Sequence, residues 1–212
     1  FAHPNGNQAV IGDIHELRTR TQKKYPQLPY FMMGHSMGSF LLRQYIGMYS
    51  KGLSGAIIMG TGNQPSLILA GGMVICKLIS MVKGWGYRSM FVDGMAGGSY
   101  AKKMGSGWLS RDKENRTEYE ADPLCGFKFT VNAYYHMFSG MKQMNKFEKE
   151  GKAEKSLPLF FVSGAEDPVG ENGAGVQKVV DVYKKGGYYN ISMKLYPEDR
   201  HEILNERDKD VV

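Results

Sequence analysis

The chain has 212 residues, of which 42% are hydrophobic and 23% are charged, and its formal net charge is +6. These values are typical of a soluble globular protein, and the length fits one domain with an elaboration better than two independent domains. Lysines between residues 142 and 155 alternate with Glu148, Glu150 and Glu154, which predicts a solvated helix face and argues against a nucleic-acid-binding patch. The mild basic excess is compatible with transient contact with an anionic membrane surface.

Two cysteines, Cys76 and Cys125, have no metal-ligand spacing, and no signal peptide is visible. We therefore expect free thiols in a reducing compartment, which places the protein in the cytoplasm. The apolar run over residues 67–82 is short and is interrupted by Lys77, so it predicts a lid or cap helix rather than a membrane span.

The first seven residues are rich in turn formers, and they precede an amphipathic segment. In that segment Val10, Ile14 and Leu17 recur at helical spacing, which predicts a first helix over residues 8–25. Two prolines at positions 26 and 29 end this helix, so an extended segment follows it.

The stretch over residues 29–49 organises the chain. It begins with an apolar run of strand length, continues with the sequence GHSMG at 34–38 and ends in two apolar stripes at helical spacing. This strand–turn–helix context is required before G-x-S-x-G indicates a nucleophile elbow. Because a helix that is apolar on two faces is a buried one, we expect the helix after the elbow to pack against a sheet.

The elbow makes specific demands on its residues. The turn is so tight that the positions of Gly34 and Gly38 should both lack a bulky side chain. Ser36 should adopt strained backbone angles with its hydroxyl above the sheet, and His35 should face away from that point. The amide of Met37, first in the helix, should point at the same place as the hydroxyl, where the helix dipole favours negative charge.

Strands and helices alternate along the rest of the chain. The apolar run Gly55–Met59 predicts a parallel strand covered on both faces. The other predicted elements are a strand over 157–162, a helix over 176–185, an edge strand over Ile191–Tyr196 and a final helix that opens at Glu202. This alternation predicts an α/β fold with a parallel sheet and crossover helices.

Residues 66–150 differ from the rest of the chain in composition, since they are rich in methionine, glycine and aromatic residues and contain no clear strand pattern. We interpret them as a helical cap inserted into a core formed by residues 1–65 and 151–212. The aromatic residues of the cap either pack within it or line an acyl-binding groove, and no individual residue is assigned to substrate binding.

Acyl transfer by a serine needs a base that takes the hydroxyl proton and an acid that orients the base. Asp167 follows the strand predicted over 157–162, and Pro168 favours it over the neighbouring Glu166 because proline defines the turn that aims the carboxylate. His201 is the histidine in the loop after the last strand. The following sequence is not H-E-x-x-H, because Asn205 stands where the second histidine would be, so a zinc peptidase is disfavoured.

Taken together, these motifs resemble the α/β-hydrolase group of bacterial lysophospholipases and monoacylglycerol lipases. The resemblance is carried by GHSMGS at 34–39, WLSRD at 108–112, ADPLCG at 121–126, SGAEDPVG at 163–170 and RHEILNE at 200–206. It implies Ser36 as nucleophile, Asp167 as acid and His201 as base. It also implies hydrolysis of small lipid-like monoacyl esters beneath a cap, with no metal or organic cofactor.

The chain departs from that group before its first helix, where the group has further strands and a loop that supplies a second oxyanion donor. The Met37 amide is then the one donor assigned to the oxyanion hole, and the strand before the elbow becomes an exposed edge that could pair with another copy of the chain. The alternatives are an inactive fragment or binding protein of the same fold and, among enzymes, a thioesterase or a proline-type aminopeptidase.

Overall fold

A computed structural model describes residues 4–212, apart from the side chains of residues 98 and 99. Within this range, parallel strands form one sheet with the order β1-β2-β3-β4. The strands are β1 Phe31–His35, β2 Gly55–Met59, β3 Leu159–Gly164 and β4 Ile191–Tyr196. The parallel α/β sheet predicted from the sequence is confirmed, and β4 lies at an edge as expected.

The helices alternate with the strands and fill the long connection between β2 and β3. They are α1 Gly6–Lys24, α2 Met37–Tyr49, α3 Ser66–Lys83, α4 Met90–Asp93, α5 Ser99–Met104, α6 Lys113–Ala121, α7 Val131–Glu150 and α8 Ala174–Lys185. A π-helical turn spans Gly94–Gly98, and 3₁₀ turns span Gly105–Trp108, Ile203–Asn205 and Lys209–Val211. The first helix predicted over residues 8–25 is thus confirmed as α1.

The final helix predicted from Glu202 is wrong, because only a short 3₁₀ turn, Ile203–Asn205, forms there. Glu202 has non-helical backbone angles (φ −101°, ψ 67°). Its N–H donates to the carbonyl of Leu109, 2.8 Å away, in the connection before α6. A contact with a distant segment therefore replaces the local hydrogen bonds that a helix would need.

The main core lies on one face of the sheet, between the strands and helices α2 and α8. Its buried members include Leu42, Tyr45 and Ile46 of α2 and Val176, Val179, Val180 and Tyr183 of α8. On the opposite face Ile57 and Phe160 are only partly buried, and Phe31 and Met33 of β1 are 59% and 56% exposed. Within β2 itself, Met59 lies on the same face as Ile57 and is 4% exposed, and every other residue except Ile57 is buried. The expectation that β2 is covered on both faces is therefore confirmed, whereas the neighbouring β1 is open on this face.

A second core lies among the helices of residues 66–150. Helix α7 runs against α2 and α3, and the buried cluster there includes Leu69 and Cys76 of α3 and Tyr134, Phe138 and Met144 of α7. No strand forms in this segment within the range that the structure describes. The division into a core and a cap stays a prediction.

The lysines on the predicted solvated face of α7 are exposed as expected, but Glu148 departs from the prediction and forms a buried ion pair. Glu148 is 4% exposed, and its carboxylate accepts from Nε and Nη2 of Arg43 in α2, at 2.7 and 3.0 Å. Arg43 also donates through Nη1 to the hydroxyl of Thr61 (3.0 Å) and the carbonyl of Gly62 (2.9 Å). This guanidinium therefore joins the helix after the elbow to α7 and to the loop after β2.

Helix α3 presents an apolar face to solvent. Its 18 residues are long and apolar enough to cross a membrane by length and composition, and 17% of them are buried. Leu67, Met81 and Val82 are each at least 80% exposed, whereas Leu69 and Cys76 pack against α7. The lid or cap role and the contact with a membrane surface stay predictions.

Candidate active site

The predicted elbow forms at the junction of β1 and α2. Ser36 has φ 54° and ψ −122°, in the positive-φ region that non-glycine residues rarely adopt. Its N–H donates to the carbonyl of Met59 at the end of β2, 3.1 Å away. Since such strain persists only where the surroundings enforce it and is common at active sites, this backbone supports a functional role for the serine.

The two glycines of the elbow, Gly34 and Gly38, differ in whether there is space for a side chain. A Cβ added to Gly34 would lie 2.3 Å from the carbonyl oxygen of Gly38, so the strand can approach the helix this closely only without a side chain at residue 34. A Cβ added to Gly38 would meet nothing within 4 Å, so the expectation that space also requires glycine there is wrong.

The structure brings Asp167 and His201 together. Nδ1 of His201 donates to Oδ2 of Asp167 across 3.0 Å, and both side chains are almost completely buried. The same Oδ2 accepts from the hydroxyl of Ser163 (3.1 Å), and Oδ1 accepts from the N–H of Val169 (2.9 Å). These donors hold the carboxylate in one orientation. The neighbouring Glu166 is instead half exposed.

The donor role of Nδ1 leaves the other ring nitrogen of His201 as an acceptor. This Nε2 atom is buried and has no hydrogen-bond partner among the described residues, so it is not bonded to the Ser36 hydroxyl in this structure. Catalytic hydrogen bonds are often long before substrate binds. A ring nitrogen with a free lone pair can accept a proton, as a general base must.

His35 does not face away from the site as predicted. Its Nε2 donates to the backbone carbonyl of His201 (3.0 Å), and the two rings lie 4.7 Å apart. A Cβ on Gly60 would lie 3.1 Å from both rings, so this glycine lets them approach. Burial lowers the pKa of His35, and His201 lowers it further. Through His35, the residue before Ser36, the elbow directly contacts the loop that carries the proposed base.

No cluster of three or more His, Cys, Asp and Glu side chains is arranged to hold a metal ion within residues 4–212. Cys76 and Cys125 are free thiols, as predicted. Burial raises the pKa of Cys76 to about 11, so this thiol is protonated at neutral pH and unsuited to nucleophilic attack.

A parallel sheet, with a serine at positive φ between a strand and its following helix, defines an α/β-hydrolase. The chain belongs to the family of hydrolases described as serine aminopeptidase, S33, whose family model matches residues 1–208. The fold that the sequence motifs implied is thereby confirmed.

Known relatives extend this similarity. The chain is 26% identical over 205 residues to the monoacylglycerol lipase of Mycolicibacterium smegmatis and 24% identical over 217 residues to the monoglyceride lipase of Rattus norvegicus. These matches cover 95% and 94% of this chain but 65% and 63% of the relatives. A carboxyl esterase from Bacillus coagulans matches in structure with a TM-score of 0.84 and 28% identity, over 95% of this chain and 66% of that one. The predicted resemblance to monoacylglycerol lipases is confirmed, and the chain spans less than two thirds of the rat enzyme.

Asp199, two residues before His201, is a buried carboxyl group that the sequence analysis did not single out. Burial raises its pKa to about 6, and Asp208 and Glu206 raise it in the same direction while Arg111 opposes them. Because the folded state then binds this proton more tightly than the unfolded state, its contribution to the free energy of unfolding falls as pH rises from about 4 to about 6.

We therefore expect the stability of the wild type, relative to Asp199→Asn, to decrease between pH 4 and pH 7. Urea unfolding of both proteins at several pH values measures this difference, and groups that titrate in both proteins cancel. A difference that stays constant across this range, or that grows in favour of the wild type, contradicts the raised pKa.

Proposed function

We propose that the chain carries the catalytic portion of a serine hydrolase that cleaves carboxylic esters of lipid-like monoacyl substrates. The observation that carries this proposal is the buried pair in which Asp167 binds Nδ1 of His201 and leaves Nε2 as an acceptor, beside the strained elbow of Ser36. Nucleophile, base and acid occur in the chain order that this fold uses.

In the proposed reaction, Oγ of Ser36 attacks the acyl carbonyl carbon while Nε2 of His201 takes the hydroxyl proton. The imidazolium then gives this proton to the leaving alcohol as the ester C–O bond breaks, and an acyl-enzyme remains. Nε2 next deprotonates a water molecule that attacks the acyl-enzyme, which releases the carboxylic acid and regenerates Ser36. Asp167 stays ionised throughout and stabilises the imidazolium.

The oxyanion of each tetrahedral intermediate needs hydrogen-bond donors. We assign the N–H of Met37, because it begins α2 and the first N–H groups of a helix have no partner within the helix. No second donor is assigned among residues 4–212. Loss of one such donor lowers kcat by about 10²–10³-fold, so one donor still permits catalysis.

The relatives and the apolar helices of residues 66–150 support the proposed substrate class. The two relatives named above are lipases of monoacylglycerols, whereas the family description names an aminopeptidase. We favour an acyl chain over a peptide because the helices of residues 66–150 form an apolar core of their own, rich in aromatic rings and methionine. A thioesterase or proline-type aminopeptidase is the alternative within the enzymes.

A second candidate function is a catalytically inactive protein that binds acyl ligands. It is favoured by the lack of an assigned second oxyanion donor among residues 4–212. In this case Ser36 and His201 remain in place without completing the reaction.

We expect a fluorophosphonate probe to react covalently with Ser36, because the probe needs an activated serine and no matched substrate. Intact-protein mass spectrometry should show one adduct, tryptic peptides should place it at Ser36, and Ser36→Ala should show none. Ser139 provides a matched control, since it lies inside the regular helix α7, and Ser139→Ala should label like the wild type. Folded wild-type protein that fails to react favours the inactive protein. Cleavage of p-nitrophenyl butyrate, a thioester or a proline anilide then separates the three enzyme classes.

A further inference from the structure

The loop that carries His201 is hydrogen-bonded to the helical segment between β2 and β3. We call residues 197–202 the histidine loop and residues 107–112 the anchor segment. Nη1 of Arg200 donates to the carbonyl of Gly107, and the N–H of Glu202 donates to the carbonyl of Leu109 (2.8 Å). The rings of Trp108 and His201 lie 5.0 Å apart. The anchor segment thus contacts the residue on each side of the proposed base and the base itself.

Arg111 is the charged centre of this contact. Its guanidinium donates through Nη1 to Glu198 (2.7 Å) and through Nη2 to Asp199 (3.3 Å). It also lies 3.9 Å from the carboxylates of Glu206 and Asp208. The Asp199 and Glu206 side chains are fully buried, whereas Glu198 is 75% exposed. Since buried charges need a partner, Arg111 is the cation that pairs with these two buried carboxylates.

The carboxylate of Glu206 links the backbone of the anchor segment to the backbone of the histidine loop. Both of its carboxylate oxygens accept from the N–H of Arg111, each at 3.0 Å, and Oε1 also accepts from the N–H of Arg200 (3.0 Å). One carboxylate therefore holds the backbone of the anchor segment and the backbone of the residue directly before His201. A shift of the anchor segment would move both.

The other side of the histidine loop is packed against the end of β3. A Cβ on Gly164 would lie 2.2 Å from the carbonyl oxygens of both Asp199 and Arg200, so the loop already touches the strand backbone. The N–H of Glu166 donates to the carbonyl of Asp199 (2.8 Å). The loop is held between the strand that leads to Asp167 and the anchor segment, so the His201–Asp167 distance depends on both supports.

We propose that Arg111, together with Glu206, is a positioning residue that fixes the imidazole of His201 through the histidine loop. This inference rests on the proposed function for its effect on catalysis. Arg111 does not touch His201 and takes no part in bond making; it acts by holding the loop. It also makes the geometry of the base depend on the helical segment 66–150, because the anchor segment belongs to that segment.

Replacement of Arg111 tests this role. Arg111→Met removes the charge and the fork of donors, and Arg111→Lys keeps the charge but loses the planar, multidentate geometry. We expect each variant to slow the reaction of Ser36 with the fluorophosphonate and to lower kcat by about ten- to hundred-fold, since a displacement near 1 Å can cost about 10²-fold. KM should change little. Arg20→Met is the matched control, because Arg20 forms an exposed pair on α1, and it should react like the wild type.

A second readout does not depend on activity. Nitrogen-15 NMR of histidine-labelled protein reports the tautomer of His201 directly. We expect the wild type to show a proton on Nδ1 and Arg111→Lys to show mixed His201 tautomers, while the signals of His15 on α1 remain unchanged. If the wild type does not label at Ser36, the proposed function fails but the NMR comparison still decides the positioning role. Unchanged His201 signals together with an unchanged labelling rate in folded Arg111→Lys would overturn the inference.

Discussion

Asp167→Asn is expected to lower kcat for an ester substrate by about 10⁴-fold, as the equivalent change does in a Ser-His-Asp protease. The carboxylate accepts the Nδ1 proton of His201 across 3.0 Å and also binds Ser163 and the N–H of Val169. An amide of the same shape can donate to Nδ1 instead, which moves the ring proton to Nε2 and removes the lone pair that should take the serine proton. Initial rates with p-nitrophenyl butyrate measure the loss.

Glu166→Gln is the matched control, because it makes the same chemical change one residue away. Glu166 is half exposed and forms only a 3.6 Å ion pair with Arg200. We expect its kcat to stay within about threefold of the wild type, since exposed ion pairs contribute about 0–1 kcal/mol. A loss at Glu166 that equals or exceeds the loss at Asp167 would show that the acid has been assigned to the wrong carboxylate.

The elements that hold the site were predictable because the relevant signals are local. Apolar runs of strand length, each followed by turn-forming or catalytic residues, predict β1, β3 and β4, although β3 begins and ends two residues later than its predicted bounds of 157–162. Parallel strands place their C-terminal ends at one edge of the sheet, so the sequence alone predicts that Ser36, Asp167 and His201 lie near one another. The structure joins Asp167 to His201 and brings the elbow against His201 through His35.

Two features of the structure, the Arg43–Glu148 pair and the contacts of Arg111, are not predicted from the sequence because the paired residues are far apart along the chain. Glu148 lies among lysines and resembles a solvated residue, yet its partner Arg43 is 105 positions earlier in a mostly apolar helix. An arginine between two apolar stripes of a helix indicates that a buried carboxylate pairs with it. The neighbouring residues in the sequence do not identify that carboxylate. The anchor at Arg111 is similar, since its partners in the histidine loop are 87 and 88 positions away.

The ion pair between Arg43 and Glu148 yields the largest expected change in stability. Arg43→Met should lower the free energy of unfolding by about 3–5 kcal/mol, because it leaves a charged carboxylate buried without a partner. Methionine keeps the length of the side chain and a good helix propensity, so the loss reports the charge rather than a poor fit in α2. The carbonyl of Gly62 and the hydroxyl of Thr61 lose a donor at the same time. Urea unfolding at pH 7 measures the change.

Two further variants separate the buried charge from other causes. Arg43→Met combined with Glu148→Leu should recover most of the loss, because an apolar pair of similar volume often replaces a buried ion pair without cost. Arg20→Met breaks an exposed pair on α1 and should cost at most about 1 kcal/mol. If the double variant is no more stable than Arg43→Met alone, the contacts of Arg43 with the Thr61–Gly62 loop stabilise the fold more than the pairing of charges. In that case Arg43 mainly supports the Thr61–Gly62 loop, which follows Gly60 beside the rings of His35 and His201. The double variant should then have lower esterase activity than the wild type as well as lower stability.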